Sequence, residues 1–217
     1  MNQDIKKTGI IFDLDGTLWD ASCQVVPAWN IVLARYPELK KQITESDMKS
    51  YMGKRLNDIA TLMLPEVEEE RRMRIMQECC KEEQIYLSEH GGILYPNLEQ
   101  VLVQLQEYSL YIVSNCQDGY VQSFFRAHGL EHYFSDIEMS GRTGKTKAEN
   151  ITLLMKRNQL QEAVYVGDTA LDATSAKDAG IPFVHARYGF GTVLNSDMVI
   201  DAIDELPQVL EKHFNRD

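Results

Sequence analysis

The stretch IIFDLDGTLWD, residues 10–20, decides how the chain is read. Ile10, Ile11 and Phe12 form an apolar run of strand length and strand composition. The run then breaks into Asp13, Leu14, Asp15, Gly16 and Thr17. Two carboxylates at the end of a buried strand repel each other and resist desolvation. Alternation along an extended chain sends Asp13 and Asp15 to the same side. A pair so placed points to chemistry rather than to packing.

Outward from this strand, two textures alternate. Short apolar runs occur at 8–13 (TGIIFD), 110–115 (LYIVSN), 163–168 (AVYVGD) and 181–186 (IPFVHA). Each has the length and the β-branched or aromatic content of a strand. Between them the spacing predicts helices over 97–108, 118–128, 146–158 and 169–179. Two of these stop at Gly129 and Gly180, a residue type suited to a helix end. A last strand at 198–201 and a last helix at 204–214 are expected. Strand–helix alternation with short links implies an α/β fold, a Rossmann-like parallel sheet with helices on both faces.

Residues 20–90 break this pattern, because they contain no strand-like run. Val25, Val26, Trp29, Val32, Leu33 and Tyr36 lie at near-helical spacing, as do Leu56, Ile59, Ala60 and Met63. A long charged helix over about 66–89 runs to Gly91-Gly92, a natural hinge. The expected organisation is a core of residues 1–19 and 92–217, interrupted by an inserted α-helical cap at 20–91.

Composition narrows the class. Against 33 acidic residues stand 22 Lys and Arg, a net charge of -11. The densest basic cluster, ERRMR at 70–74, follows Glu68 and Glu69 and reads as ion pairing along a helix. No basic face for a nucleic acid emerges. No apolar run approaches the roughly 20 residues that span a bilayer, and the N-terminal segment lacks a signal-peptide core. Cys23, Cys79, Cys80 and Cys116 have no CxxC spacing and read as reduced thiols. A cytoplasmic enzyme, with neither nucleic acid nor membrane as partner, is expected.

In a parallel sheet, ligands bind at the carboxyl ends of the strands. Those ends carry Asp13 and Asp15, Ser114 and Asn115, and Gly167, Asp168 and Thr169, with Asp172 one helical turn on. Lys145 and Lys147 precede the third of these strands. Asp13 and Asp168 offer hard oxygens, and a hard dication would offset their repulsion. The five histidines and four cysteines show no zinc spacing, so Mg²⁺ is the expected cofactor. The cation, Ser114 and Lys147 together would attract a phosphate. Of Asp13 and Asp15, one can attack phosphorus while the other handles protons.

In order and spacing, DLDGTLWD, VSN, the lysine of KAEN and VGDTALD resemble the four motifs of the haloacid dehalogenase superfamily, and the inserted helices resemble its C1-type cap. The nearest branch is similar to phosphoglycolate phosphatase and β-phosphoglucomutase. The resemblance implies a Mg²⁺-dependent phosphatase acting on a small phosphorylated metabolite. It makes Asp13 the nucleophile that takes the phosphoryl group as an aspartyl-phosphate. Asp15 becomes the acid and base, binding Mg²⁺ through its backbone carbonyl. Thr17 supports the site, Ser114 and Asn115 lie against the phosphate, and Lys147 neutralises its charge. Asp168 becomes a further metal ligand, Gly167 lets the backbone come close, and Asp172 orients metal-bound water.

Lys147 is preferred to Lys145 because KAEN opens the following helix. GRTGKT at 141–146 is not a P-loop, because the first glycine of that motif would fall on Met139. YGFG at 188–191 reads as a turn near the site. Lys54 and Arg55, after Gly53, are either a cap loop that grips a second anionic group or a solvated helix start. A phosphomutase of the β-phosphoglucomutase type is the alternative on the same scaffold, with Thr17 favouring hydrolysis. A non-catalytic phospho-binding module is the alternative of another class.

Overall fold

A computed structural model of the chain describes residues 7–194, 196 and 198–214. Strand β1 (Thr8–Phe12) leads into a two-residue strand β2 (Trp19–Asp20). Helices α1 (Ser22–Leu33), α2 (Glu45–Tyr51), α3 (Leu56–Met63) and α4 (Glu69–His90) follow without a strand between them. The chain returns through β3 (Ile93–Leu94), which pairs antiparallel with β2, Trp19 opposite Leu94 and Asp20 opposite Ile93. Then come α5 (Leu98–Gln104), β4 (Ser109–Ser114), α6 (Tyr120–His128), β5 (Phe134–Met139), α7 (Ser140–Thr143) and α8 (Lys147–Arg157). The chain continues with β6 (Glu162–Gly167), α9 (Ala170–Ala179), β7 (Phe183–Ala186), β8 (Met198–Ile200) and α10 (Leu206–Phe214). Six strands form one parallel sheet in the order β5-β4-β1-β6-β7-β8. The α/β, Rossmann-like architecture expected from the sequence is therefore present.

The strand β1 lies inside this sheet, and its residues show why it reads as an unbroken apolar run. Ile10 and Phe12 belong to the larger core cluster, with Val101, Leu102, Val164 and Leu206. Ile11 points the other way, to Tyr111, Val113, Ile151, Leu154 and Tyr165. All three are fully buried. Each contributes roughly 1.5–3 kcal/mol by leaving water.

Local signals set where the helices begin. Thr146 accepts from the Glu149 N–H while the Glu149 carboxylate accepts from the Thr146 N–H, so α8 starts at Lys147. Thr169 and Asp172 do the same for α9. Gly129 and Gly180, both left-handed, end α6 and α9.

Three details differ from the sequence-based expectation. Strand β5 had no strand signature, and it is an edge strand whose Asp136 and Glu138 are neutralised by Arg157 at 2.8 Å each. The helix expected over 97–108 ends at Gln104, and the one expected over 66–89 spans Glu69–His90. Helix α4 packs along α1 on one side and against α6 on the other. Gln84 Nε2 donates to the Asp118 carbonyl at 2.7 Å, and Ser88 Oγ to Ser123 Oγ at 3.1 Å.

Candidate active site

The carboxyl ends of β1, β4 and β6 meet at one edge of the sheet, as their parallel register requires. Asp13 follows β1, and its N–H donates to the Val166 carbonyl at 2.8 Å. Ser114 closes β4, and Asp168 follows β6. The carboxylates of Asp13, Asp168 and Asp172 are all buried, with oxygens within 4.8 Å of one another.

Lys147 is what makes this density of charge tolerable. As the first residue of α8, it sends its side chain into the cluster, where it is 2% exposed. Its Nζ lies 3.0 Å from Asp13 Oδ1 and 2.5 Å from Asp172 Oδ1. Burial alone would lower the Lys147 pKa, but Asp13 and Asp172 outweigh it and raise the value. Lys145 is exposed.

One cation does not balance three acids. Burial pushes Asp13 up to about 6, with Lys147 opposing it. Burial pushes Asp168 up to about 8, with Asp172 and Asp13 adding to the rise. Asp168 Oδ2 accepts from the Phe190 N–H at 2.7 Å, while Asp168 Oδ1 and Asp13 Oδ2 meet no donor. Buried, partnerless carboxylate oxygens are rare unless something else binds them. The donors are all oxygens, so the group that fits is a hard dication. Asp172 is already committed: Oδ1 to Lys147, Oδ2 to the Thr169 N–H at 2.9 Å and hydroxyl at 2.6 Å.

Two glycines permit the close approach. Gly16 has φ 81°, and a Cβ there would collide with the Asp168 carboxylate. A Cβ on Gly189 would overlap both Asp168 and the Gly16 carbonyl. The YGFG turn thus lies directly against Asp168.

The Asp15 side chain lies outside the three-carboxylate cluster but lines the same cavity as Asp13. Its Oδ1 accepts from Trp19 Nε1 and from the Tyr120 hydroxyl, each at 2.9 Å. Loss of solvation and the nearby Asp13 raise Asp15 to about 7, against the pull of those two donors. Trp19 is fully buried, stacked edge-on with Tyr120 and Phe124. Neither aromatic was singled out from sequence as a partner of Asp15. They stand at i+4 and at a separation of 105 residues, and only the fold joins them.

The remaining candidates divide. Thr17 is buried and its Oγ1 has no partner, while its carbonyl accepts from the Tyr188 hydroxyl at 2.8 Å. Ser114 Oγ accepts from the Cys116 N–H at 3.4 Å. Gly167 ends β6 with no room for a side chain beside Asp172. The Asn115 side chain bridges elements: its amide donates to the Gly53 carbonyl at 2.9 Å and its oxygen accepts from Ser140. Lys54 Nζ donates to the Ser50 carbonyl at 2.6 Å, and Arg55 donates to the Gly144 carbonyl at 3.1 Å.

Above Asp13, Asp15 and Ser114 lies a cavity of about 50 Å³. Met52, Leu56 and Ile59 supply its apolar wall. Glu83 of α4 also lines it, 4% exposed, accepting from Gln117 Nε2 at 2.7 Å.

Residues 10–186 match the sequence model of haloacid dehalogenase-like hydrolases, and the chain belongs to that family. It is an enzyme, a hydrolase of that class. A protein named as a plasmid-encoded phosphoglycolate phosphatase of Cupriavidus necator is 26% identical over 216 residues, covering 94% of this chain and 93% of that protein. The crystal structure of a haloacid dehalogenase-like hydrolase from Bacteroides fragilis is similar, with TM-score 0.79 and 26% identity over 93% of this chain and all of that one. A β-phosphoglucomutase of Clostridium difficile superposes with TM-score 0.74 over 96% of this chain and 99% of its own, at 16% identity, and bears on the fold alone.

Proposed function

We propose that the protein is a Mg²⁺-dependent phosphatase that hydrolyses a small phosphomonoester through an aspartyl-phosphate. The observation that carries this reading is the set of partnerless oxygens on Asp13 and Asp168 beside the buried Lys147 ammonium. The relatives named phosphoglycolate phosphatase support the reaction class.

Asp13, Asp168 and the Asp15 backbone carbonyl would hold the cation. When bound, Mg²⁺ supplies positive charge that offsets the carboxylates and the phosphoryl oxygens. Asp13 attacks phosphorus in line, forming the Oδ–P bond as the P–O bond to the alcohol breaks. Asp15, with a pKa near 7, gives its proton to the departing oxygen. It then takes a proton from the water that attacks the phospho-aspartate, and inorganic phosphate leaves. Trp19 and Tyr120 fix the Asp15 carboxyl for both transfers. Lys147 and Ser114 meet the charge on the transferring group.

In this reading residues 20–91 form a cap over a core of 1–19 and 92–217, whose ends, 1–6 and 215–217, lie outside the described residues. The cap shields the phosphoryl group from bulk water. Among the described residues no helix is long and apolar enough to cross a membrane. We place the enzyme in the cytoplasm on the strength of its cysteines, which have neither disulfide nor CxxC spacing. The test is phosphate release from a panel of small phosphomonoesters, with Mg²⁺ and with EDTA. Metal-dependent release is expected, and release unaffected by EDTA would overturn the metal assignment.

A further inference from the structure

The phosphoryl end of the cavity is accounted for, but Glu83 is not. It belongs to the middle of α4, in a stretch whose charges otherwise face solvent, yet it is buried and lines the same cavity as Asp13 and Asp15. Gln117 Nε2 donates to its Oε2 at 2.7 Å, and the Trp29 side chain, also in the cavity wall, lies close enough to bond to the same carboxylate. Burial, with Asp15 adding to it, pushes Glu83 up to about 8.

The charges around the rest of the cavity are one-sided. Among the described residues lining it, Lys54 is the only cation, and its ammonium is tied to the Ser50 carbonyl on the exposed side. Arg55 is turned to Gly144. A substrate carboxylate would bring a negative charge into a space already dry enough to bury Glu83, with no cation free to offset it. A hydroxyl or ammonium would instead find an acceptor already held by Gln117. The cavity, about 50 Å³ with its phosphoryl end included, admits only a short organic group.

We propose that Glu83 is a specificity residue that accepts a hydrogen bond from a hydroxyl or ammonium on the substrate's short organic group and selects against a carboxylate there. This rests on the phosphatase reading above. It sets this chain apart in substrate from its relatives named for phosphoglycolate.

Four esters of matched length test it: 2-hydroxyethyl phosphate, 2-aminoethyl phosphate, phosphoglycolate and ethyl phosphate. With Mg²⁺ present, the wild type should turn over the first or second with kcat/KM roughly tenfold or more above the last two, mainly through KM. Glu83→Gln keeps shape and loses the acid. It should lower kcat/KM for whichever of the first two esters is preferred, less for the hydroxyethyl ester, whose hydroxyl an amide oxygen can still meet, than for the aminoethyl ester, and narrow the gap to phosphoglycolate in either case. A purely structural Glu83 would move all four esters by the same factor, and that outcome overturns the proposal. A wild-type preference for phosphoglycolate overturns it too, and leaves the phosphatase reading standing even if the variant fails to fold. Hydrolysis of none of the four, nor of p-nitrophenyl phosphate, overturns the phosphatase reading and this inference with it.

Discussion

Lys147 Nζ stands 3.0 Å from Asp13 Oδ1, across 134 residues of chain, with both side chains almost wholly buried. A buried carboxylate keeps its charge only beside such a partner. The lysine therefore sets the ionisation of the group proposed to attack phosphorus, and it holds Asp172 in the same grip.

Lys147→Ala should lower kcat by roughly 10²–10³-fold, the cost of removing one preorganised donor to a developing charge. It should also destabilise the fold by about 3–5 kcal/mol at neutral pH, because Asp13 and Asp172 lose their counter-ion. The penalty should shrink at acid pH, where stranded carboxylates protonate. Lys145→Ala, on the exposed turn, should change neither quantity. Steady-state kinetics and urea midpoints of both variants check this, and an equal effect of the two would move the site lysine.

Asp168→Asn should abolish the response to Mg²⁺ while leaving the fold intact. An amide keeps the acceptor for the Phe190 N–H and removes a charge that burial already penalises. With Mg²⁺ at ten times its Kd, linkage should stabilise the wild type by about 1.4 kcal/mol. That corresponds to a rise in Tm of roughly 3–5 °C. Thermal scans with Mg²⁺ and with EDTA should show the rise in the wild type and none in the variant.

Glu83 should make the fold less stable as pH rises. Its folded pKa of about 8 lies above the ordinary 4.5, so the native state binds the extra proton between those values. The stabilisation is complete below about pH 4.5 and is lost as pH climbs through 8. Glu83→Gln removes the titration. The stability of the variant relative to the wild type should therefore grow between pH 5 and 8, by up to several kcal/mol, as an order-of-magnitude bound. Urea unfolding of both proteins in EDTA across that range isolates this one group, and a flat difference would contradict it.

Tyr120→Phe removes one of two donors to Asp15 Oδ1 and leaves the ring in place beside Trp19. Stability should fall by about 0.5–1.5 kcal/mol. The rate should fall by roughly tenfold in kcat with a smaller change in KM, because the phenol's hydrogen bond positions the proton donor. Rapid-quench measurement of the chemical step distinguishes this from slower product release.

The sheet was legible because β1, β4 and β6 are buried on both faces, and so carry unbroken apolar runs ending in polar residues. Strand β5 was not, because an edge strand tolerates Asp136 and Glu138 when a later helix brings Arg157 to them. The juxtaposition of Asp13, Asp168 and Lys147 follows from strand ends and a helix start, features that sequence spacing carries. Glu83 does not follow, because in EEQIYLSEH it is one acid among several on a charged helix. Only the packing of α4 between α1 and α6 turns it inward. The aromatic grip on Asp15 was hidden for the same reason. Asn115 shows the converse: it sits where a phosphate ligand was expected, and its side chain bridges Gly53 and Ser140 instead.

The most direct test of the central claim is mass spectrometry of the acid-quenched enzyme after a brief exposure to substrate and Mg²⁺. A phosphoryl group on Asp13 in the wild type is the predicted result, with no such adduct and no phosphate release in Asp13→Asn. Phosphate release by Asp13→Asn at the wild-type rate, or an adduct on any other residue, would contradict it.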